Sequence, residues 1–151
     1  VSASLQRASM SFVDFDGHTE LLAYHWVLSD GGRATSRRPA QRNDCTVRAL
    51  VIARGLSYDG AYDCLKAAGR KCSRGFDFAR WMSRQTWATK LSFPARKGER
   101  CMTLAAFCGS HPEGTFIVRV AKHVLAVKDG VAYDSFENRP DRCVYCAWAV
   151  L

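Results

Sequence analysis

No uninterrupted hydrophobic run in this chain approaches the ~18 residues of a membrane helix, which excludes a helical span. The opening, "VSASLQRASMSF", lacks the apolar core of a secretory signal. Its scarcity of acid and its start at a residue other than Met leave a transit-like or processed N-terminus open. Internal repeats and low-complexity segments are absent, so a repeat architecture is not expected. Acid is the scarcer charge: 14 Asp and Glu stand against 22 Lys and Arg, a formal net charge of +8. That balance favours acidic partners or nucleic acid. The basic residues are scattered, however, apart from "GGRATSRRPAQR" and "RKGER". No aromatic-basic signature of an RNA-binding module accompanies them. The seven cysteines are an odd number, which with no signal argues against a secreted disulfide framework. A cytoplasmic location and mostly core-packed thiols are the expectation.

What is present suits one domain, residues 1–151. The chain has 151 residues, of which 48% are hydrophobic, enough for a core. "MSFVDFDGHTELLAYHWVLSD" reads as a hairpin about Asp16-Gly17. A basic loop, "GGRATSRRPAQRN", follows. Val47, Leu50, Val51 and Ile52 predict a mostly buried helix from Cys45 to Arg54, ended by Gly55. "SYDGAYDCLKAAGRK" predicts a second helix with Ser57 and Gly69 at its ends. "FDFARWMSRQ" predicts a third helix, "TWATKLSF" a strand, and "TLAAFCGSHPEG" a short helix. The last third is β-branched and aromatic: "TFIVRVA", "HVLAVKDG", "VAYDSF" and "CVYCAWAVL", with Asp129-Gly130 as a hairpin turn. The fold class is α+β: an N-terminal hairpin, helices around Cys45, then an antiparallel sheet.

The chemistry gathers on three residues. Cys45 stands at the start of a helix, where the aligned peptide dipoles stabilise a thiolate. His123 begins one strand of the Asp129-Gly130 hairpin, and Asp134 lies on the other. Pairing about that turn places Phe136 opposite His123 and makes Asp134 its diagonal neighbour on the same face. A carboxylate there can orient the imidazole. Cys45 would be the nucleophile, His123 the base and then the acid, and Asp134 the group that fixes the tautomer. Oxyanion donors are open between the backbone N–H of Cys45 and the side-chain amide of Gln41 or Asn43. Asp44 opposes thiolate formation, unless it caps the helix or points outward. Each residue also has a bland reading: Cys45 as a packed thiol, His123 as a structural strand histidine, Asp134 as a surface carboxylate, and Phe136 as core or as a wall beside His123. His18, His25 and His111 are read as structural or solvated.

This order of Cys, His and Asp resembles the papain-like cysteine peptidase superfamily. "NDCTVRAL" is similar to the nucleophile segment of its leader-peptidase-like branch. The series "NDCTVRA", "GTFIVRVAKHVLAVKDGVAYD" and "RCVY" is similar to small bacterial and phage proteins of this type. The resemblance runs from Arg42 to Trp148. It implies a papain-like core at 41–151, with the hairpin and basic loop at 1–40 as an extension, and thiol peptidase or amidase chemistry. In well-known members the oxyanion amide lies further before the cysteine than Gln41 does.

No cofactor or metal is expected. Cys143-x-x-Cys146, with Cys101 and Cys108, has zinc-like spacing, but "CVYCAWAV" reads as a strand, where residues three apart face opposite sides. The leading function is a thiol-dependent hydrolase acting on a protein or peptide. The second is a catalytically inactive scaffold of the same fold that binds a protein partner, as a virion component or an anti-defence factor, in host cytoplasm or virion if phage-encoded. The third is a basic nucleic-acid-associated protein. The loop Arg33–Arg42 is the expected exposed contact for an acidic protein or nucleic acid, and no membrane contact is expected.

Overall fold

The computed structural model describes residues 4–13 and 19–151; the expected Asp16-Gly17 turn and His18 lie outside them. The chain is α+β. Strands β1 (Leu5–Val13) and β2 (Thr19–Leu28) form the N-terminal hairpin. After a 3-10 turn at Arg33–Thr35 come α1 (Cys45–Arg54), α2 (Tyr58–Ala67) and α3 (Phe78–Met82), then strand β3 (Ala88–Ser92). The last part holds α4 (Leu104–Ser110) and strands β4 (Thr115–Val120), β5 (His123–Lys128), β6 (Val131–Asp134) and β7 (Cys146–Val150).

Local chemistry accounts for most boundaries. Gly55 ends α1 at φ 65°, a left-handed conformation that glycine adopts without steric cost. The Ser57, Asp77 and Thr103 side chains accept from the amides of Gly60, Arg80 and Ala106, capping α2, α3 and α4. Asp129 and Gly130, both at positive φ, make the tight turn between β5 and β6. The resulting register pairs Lys128 with Val131 and Ala126 with Tyr133.

All seven strands join one sheet in the order β1-β2-β6-β5-β4-β7-β3. The expectation of an antiparallel sheet needs correction. β2 runs parallel to β6, with His25 beside Val131 and Leu28 beside Asp134, so the sheet is mixed. Turn signals report only neighbours in sequence, whereas β2 meets β6 after a crossover through the helices. The hairpin is therefore an edge of the main sheet, and its Tyr24 and Val27 are buried.

Apolar layers cover both faces of the sheet, which is why "TFIVRV" reads as a nearly unbroken apolar run. On one face Leu104 and Phe107 of α4 pack with Phe116, Val118, Leu125 and Val127. On the other, Val47, Leu50, Leu65, Phe78 and Met82 of α1–α3 pack with Ile117, Val124 and Trp148. The period-two pleat of β4 explains this sorting: Ile117 goes one way, Phe116 and Val118 the other.

The cysteines also depart from expectation. Cys101 and Cys143 form a disulfide, Cys64 and Cys72 are exposed, and Cys108 and Cys146 are buried. An antiparallel bridge between Thr103 and Cys143, with the Val144 N–H donating to the Met102 carbonyl, brings the two bonded sulfurs together. Strand β7 begins only at Cys146, so Cys143 precedes it. No helix among the described residues is long and apolar enough to cross a membrane.

Candidate active site

Cys45 is the first residue of α1 and is only partly buried. The first intrahelical bond runs from the Arg48 N–H to the Asp44 carbonyl at 3.0 Å. The amides of Cys45, Thr46 and Val47 therefore point out of the helix end without an intrahelical acceptor. The preceding Asn43 adopts φ 51°, and Arg70 donates to its carbonyl at 2.7 Å. That conformation turns the chain into the helix and leaves the thiol facing a groove of about 630 Å³. Thr46, Cys72, Phe76, Lys122 and His123 are among the other residues lining it.

His123 starts β5, immediately after the β4–β5 turn. Its Nε2 lies 2.5 Å from Asp134 Oδ2. With Nε2 so engaged, Nδ1 is the ring nitrogen left for Cys45, which lines the same groove and whose ionisation the imidazole favours. The backbone N–H of Val124 also favours the ionised sulfur. Phe136 is 45% exposed, with its ring centroid 5.1 Å from that of His123. It is the wall beside the histidine, not part of the core.

The ionisations of thiol and imidazole are coupled. Burial of Cys45 opposes its ionisation. The His123 hydrogen bond, the Val124 amide and the nearby positive charge of His123 and Arg48 outweigh it, and the thiol lies below its ordinary range. Burial likewise pulls His123 down, but its bonds to Asp134 and Cys45 push it up to about 9. Both shifts favour the thiolate-imidazolium form.

Asp134 is itself held from four sides. Besides His123, it accepts from Arg48 at 2.5 Å, from the Ser135 amide at 2.7 Å and from Asn138 at 2.8 Å. Burial alone would raise its carboxyl; the His123, Asn138 and Arg48 contacts hold it below the usual carboxylate range. Arg48 also donates to Asp44 at 3.0 Å. Asp44 accepts in addition from Arg33 and from the Tyr58 hydroxyl at 2.7 Å.

Asp44 therefore answers the problem of a carboxylate beside a thiol in a way the sequence reading did not foresee. Its side chain neither caps α1 nor points outward. It is 2% exposed and lies between two arginines, which neutralise its field. The sequence reading also missed Arg48, the link between the two aspartates. Its signals were an arginine inside the apolar run "VRALVIA" and the four-residue spacing from Asp44.

The amides considered for the oxyanion are less well placed. The Gln41 amide donates to the Arg42 carbonyl, and the residue lines a separate shallow depression with Arg33 and Pro39. Asn43 borders the Cys45 groove, but its amide donates to the Cys72 carbonyl at 3.3 Å. The backbone N–H of Cys45 is the donor that the helix end supplies.

The basic loop, residues 33–42, is exposed or half-buried, as expected, but its Arg33, Arg37 and Arg38 are engaged within the chain. Gly31 is buried at φ 67°, and a Cβ there would meet the Arg48 Cα at 3.3 Å. Arg33 pairs with Asp44; Arg38 pairs with Asp59 and Asp63 and lies over the Tyr62 ring. Only Arg37 of these three is largely exposed, and it too approaches Asp59 and Asp63. Of the remaining histidines, His111 stacks on Phe107 at 4.1 Å, and His25 is exposed on β2. No protein-family model, curated protein or solved structure matches this chain.

Proposed function

We infer that this protein is a thiol-dependent peptidase or amidase of papain-like type, with Cys45, His123 and Asp134 as its catalytic unit. One observation carries the reading. A helix-start thiol and an imidazole line the same open groove, and the imidazole is held by a buried carboxylate through its other nitrogen.

The chemistry follows from that arrangement. The Cys45 sulfur attacks an amide carbonyl, and the C–N bond breaks as the His123 imidazolium protonates the leaving amine. The neutral imidazole then takes a proton from water, which attacks the thioester and releases the carboxylic acid and the thiol. The helix-end N–H of Cys45 faces the developing oxyanion. Asp134 holds the ring in position throughout, and Arg48 with Asn138 holds Asp134.

The test uses peptide-based electrophiles, such as a library of peptidyl vinyl sulfones, with mapping of the adduct by mass spectrometry. Adduct should form on Cys45, vanish in Cys45→Ala and fall sharply in His123→Ala. Adducts spread equally over the exposed Cys64 and Cys72 would refute the assignment. The engagement of both the Gln41 and Asn43 amides favours a second reading, a scaffold of the same fold that binds a protein without turnover. A partner retained equally by wild type and Cys45→Ala, with no adduct on Cys45, would identify that case.

A further inference from the structure

The residues around the thiol carry an unbalanced charge. Arg70, Lys71, Arg74, Arg119 and Lys122 line the groove, with Asp77 as its single carboxylate. Arg70 is buried, donates to the Asn43 carbonyl and approaches the Tyr62 ring, so its role is structural. Asp77 spends its carboxylate on the Arg80 amide at the start of α3. Lys71, Arg74, Arg119 and Lys122 are all exposed, and none is in a salt bridge among the described residues.

This contrasts with the basic loop, where Arg33, Arg37 and Arg38 each have carboxylate partners. The four unpaired cations come from two separate elements: the segment between α2 and α3, and the β4–β5 turn with the strand leading into it. Lys122 directly precedes His123 and is held at φ 54°, a conformation unusual for a residue with a Cβ. A concave site lined by one sign of charge focuses its field and concentrates the opposite sign.

We propose that the groove selects acidic polypeptide: a chain with Asp or Glu side chains close to the carbonyl that Cys45 attacks, paired with Lys71, Arg74, Arg119 and Lys122. This rests on the reading of Cys45 and His123 as the reacting pair, because attack by that pair requires an acyl carbonyl. Protein chains supply one beside their acidic side chains, whereas a nucleic-acid backbone offers phosphate alone. The half-buried Phe76 gives the groove an apolar surface beside its cations, suited to a side chain of mixed character.

The experiment measures binding to the full-length Cys45→Ala protein, so that no turnover intervenes. The probes are a dansyl-labelled glutamate-rich peptide, its glutamine and lysine counterparts, and a dansyl-labelled single-stranded oligonucleotide, read by fluorescence anisotropy. The glutamate peptide should bind about tenfold more tightly than the glutamine peptide at low salt. The advantage should shrink in ~0.5 M salt, where the screening length falls to a few ångströms. Lys71→Glu/Arg74→Glu/Lys122→Glu should abolish it, and each single Lys→Gln or Arg→Gln change should reduce it. Lys66→Glu/Lys128→Glu, at exposed sites outside the groove lining, should leave it intact; circular dichroism verifies folding. Equal binding of the glutamate and glutamine peptides overturns the proposal. So does equal damage from the Lys66/Lys128 pair, or tighter, groove-dependent binding of the oligonucleotide. An electrophilic probe that labels Cys45 while the glutamate preference is absent refutes this proposal alone. A glutamate preference without labelling refutes the catalytic reading and leaves an acid-binding groove.

Discussion

Arg48→Met is the most informative single substitution in the polar network. The thioether keeps much of the length and apolar stem of arginine, so the change chiefly removes charge and hydrogen bonds. Arg48 is 9% exposed and contacts Asp44 at 3.0 Å and Asp134 at 2.5 Å. Asp44 would keep Arg33 and Tyr58. Asp134 would lose its one permanently charged partner and keep His123, Asn138 and the Ser135 amide. Breaking a buried ion pair by removing one member costs about 3–5 kcal/mol. The surviving partners put the expected loss at the lower end, about 3 kcal/mol, or roughly 10 °C in melting temperature for a domain of this size. Thermal and urea unfolding followed by circular dichroism measure it. Adding Asp134→Asn removes the stranded charge, so the double variant should lose less than the sum of the two single losses, by at least about 1 kcal/mol. A single variant within about 0.5 kcal/mol of wild type, or strict additivity, would show that this network does not hold Asp134 as argued.

Three further outcomes follow. Arg33→Glu places a second carboxylate against the buried Asp44 and should cost about 2 kcal/mol or more, whereas Arg37→Glu, at an exposed site, should leave the urea midpoint nearly unchanged. Asp134→Asn removes the carboxylate that holds His123 up, so an NMR titration should show the imidazole moving down from about 9 towards its ordinary 6.5. Because the folded value is the raised one, the stabilisation from this imidazolium is complete below about pH 6.5 and disappears as pH rises through about 9, and the substitution should flatten that dependence. Reducing Cys101–Cys143, which are 42 residues apart, should cost up to about 4 kcal/mol by loop entropy, read as a lower melting temperature with reductant.

The parts of the molecule that were legible in its sequence are those fixed by neighbours along the chain. The helix from Cys45 to Arg54 is announced by its apolar run and closed by Gly55, and both ends lie where the sequence places them. The Asp129-Gly130 turn sets a register in which His123 and Asp134 meet, and their contact follows from that local fact. What was hidden depends on distant partners. The parallel pairing of β2 with β6 joins residues about a hundred apart, and no turn signal reports it. The Cys101–Cys143 bond needs the Thr103–Cys143 bridge to exist first. Arg33 looked like a solvated charge because its partner, the buried Asp44, acquires its environment only when α1 packs.

The claim that Cys45 and His123 act as one ionised unit is tested most directly by the rate of Cys45 alkylation with iodoacetamide as a function of pH, compared in wild type and His123→Ala. The wild-type thiol should react at full rate well below the ordinary thiol range and faster than the exposed Cys64 and Cys72. His123→Ala should move the profile upward in pH by at least about one unit, since the imidazole that lowers the Cys45 pKa is gone. Superimposable profiles in the ordinary thiol range, with Cys45 no faster than Cys64, would contradict the account.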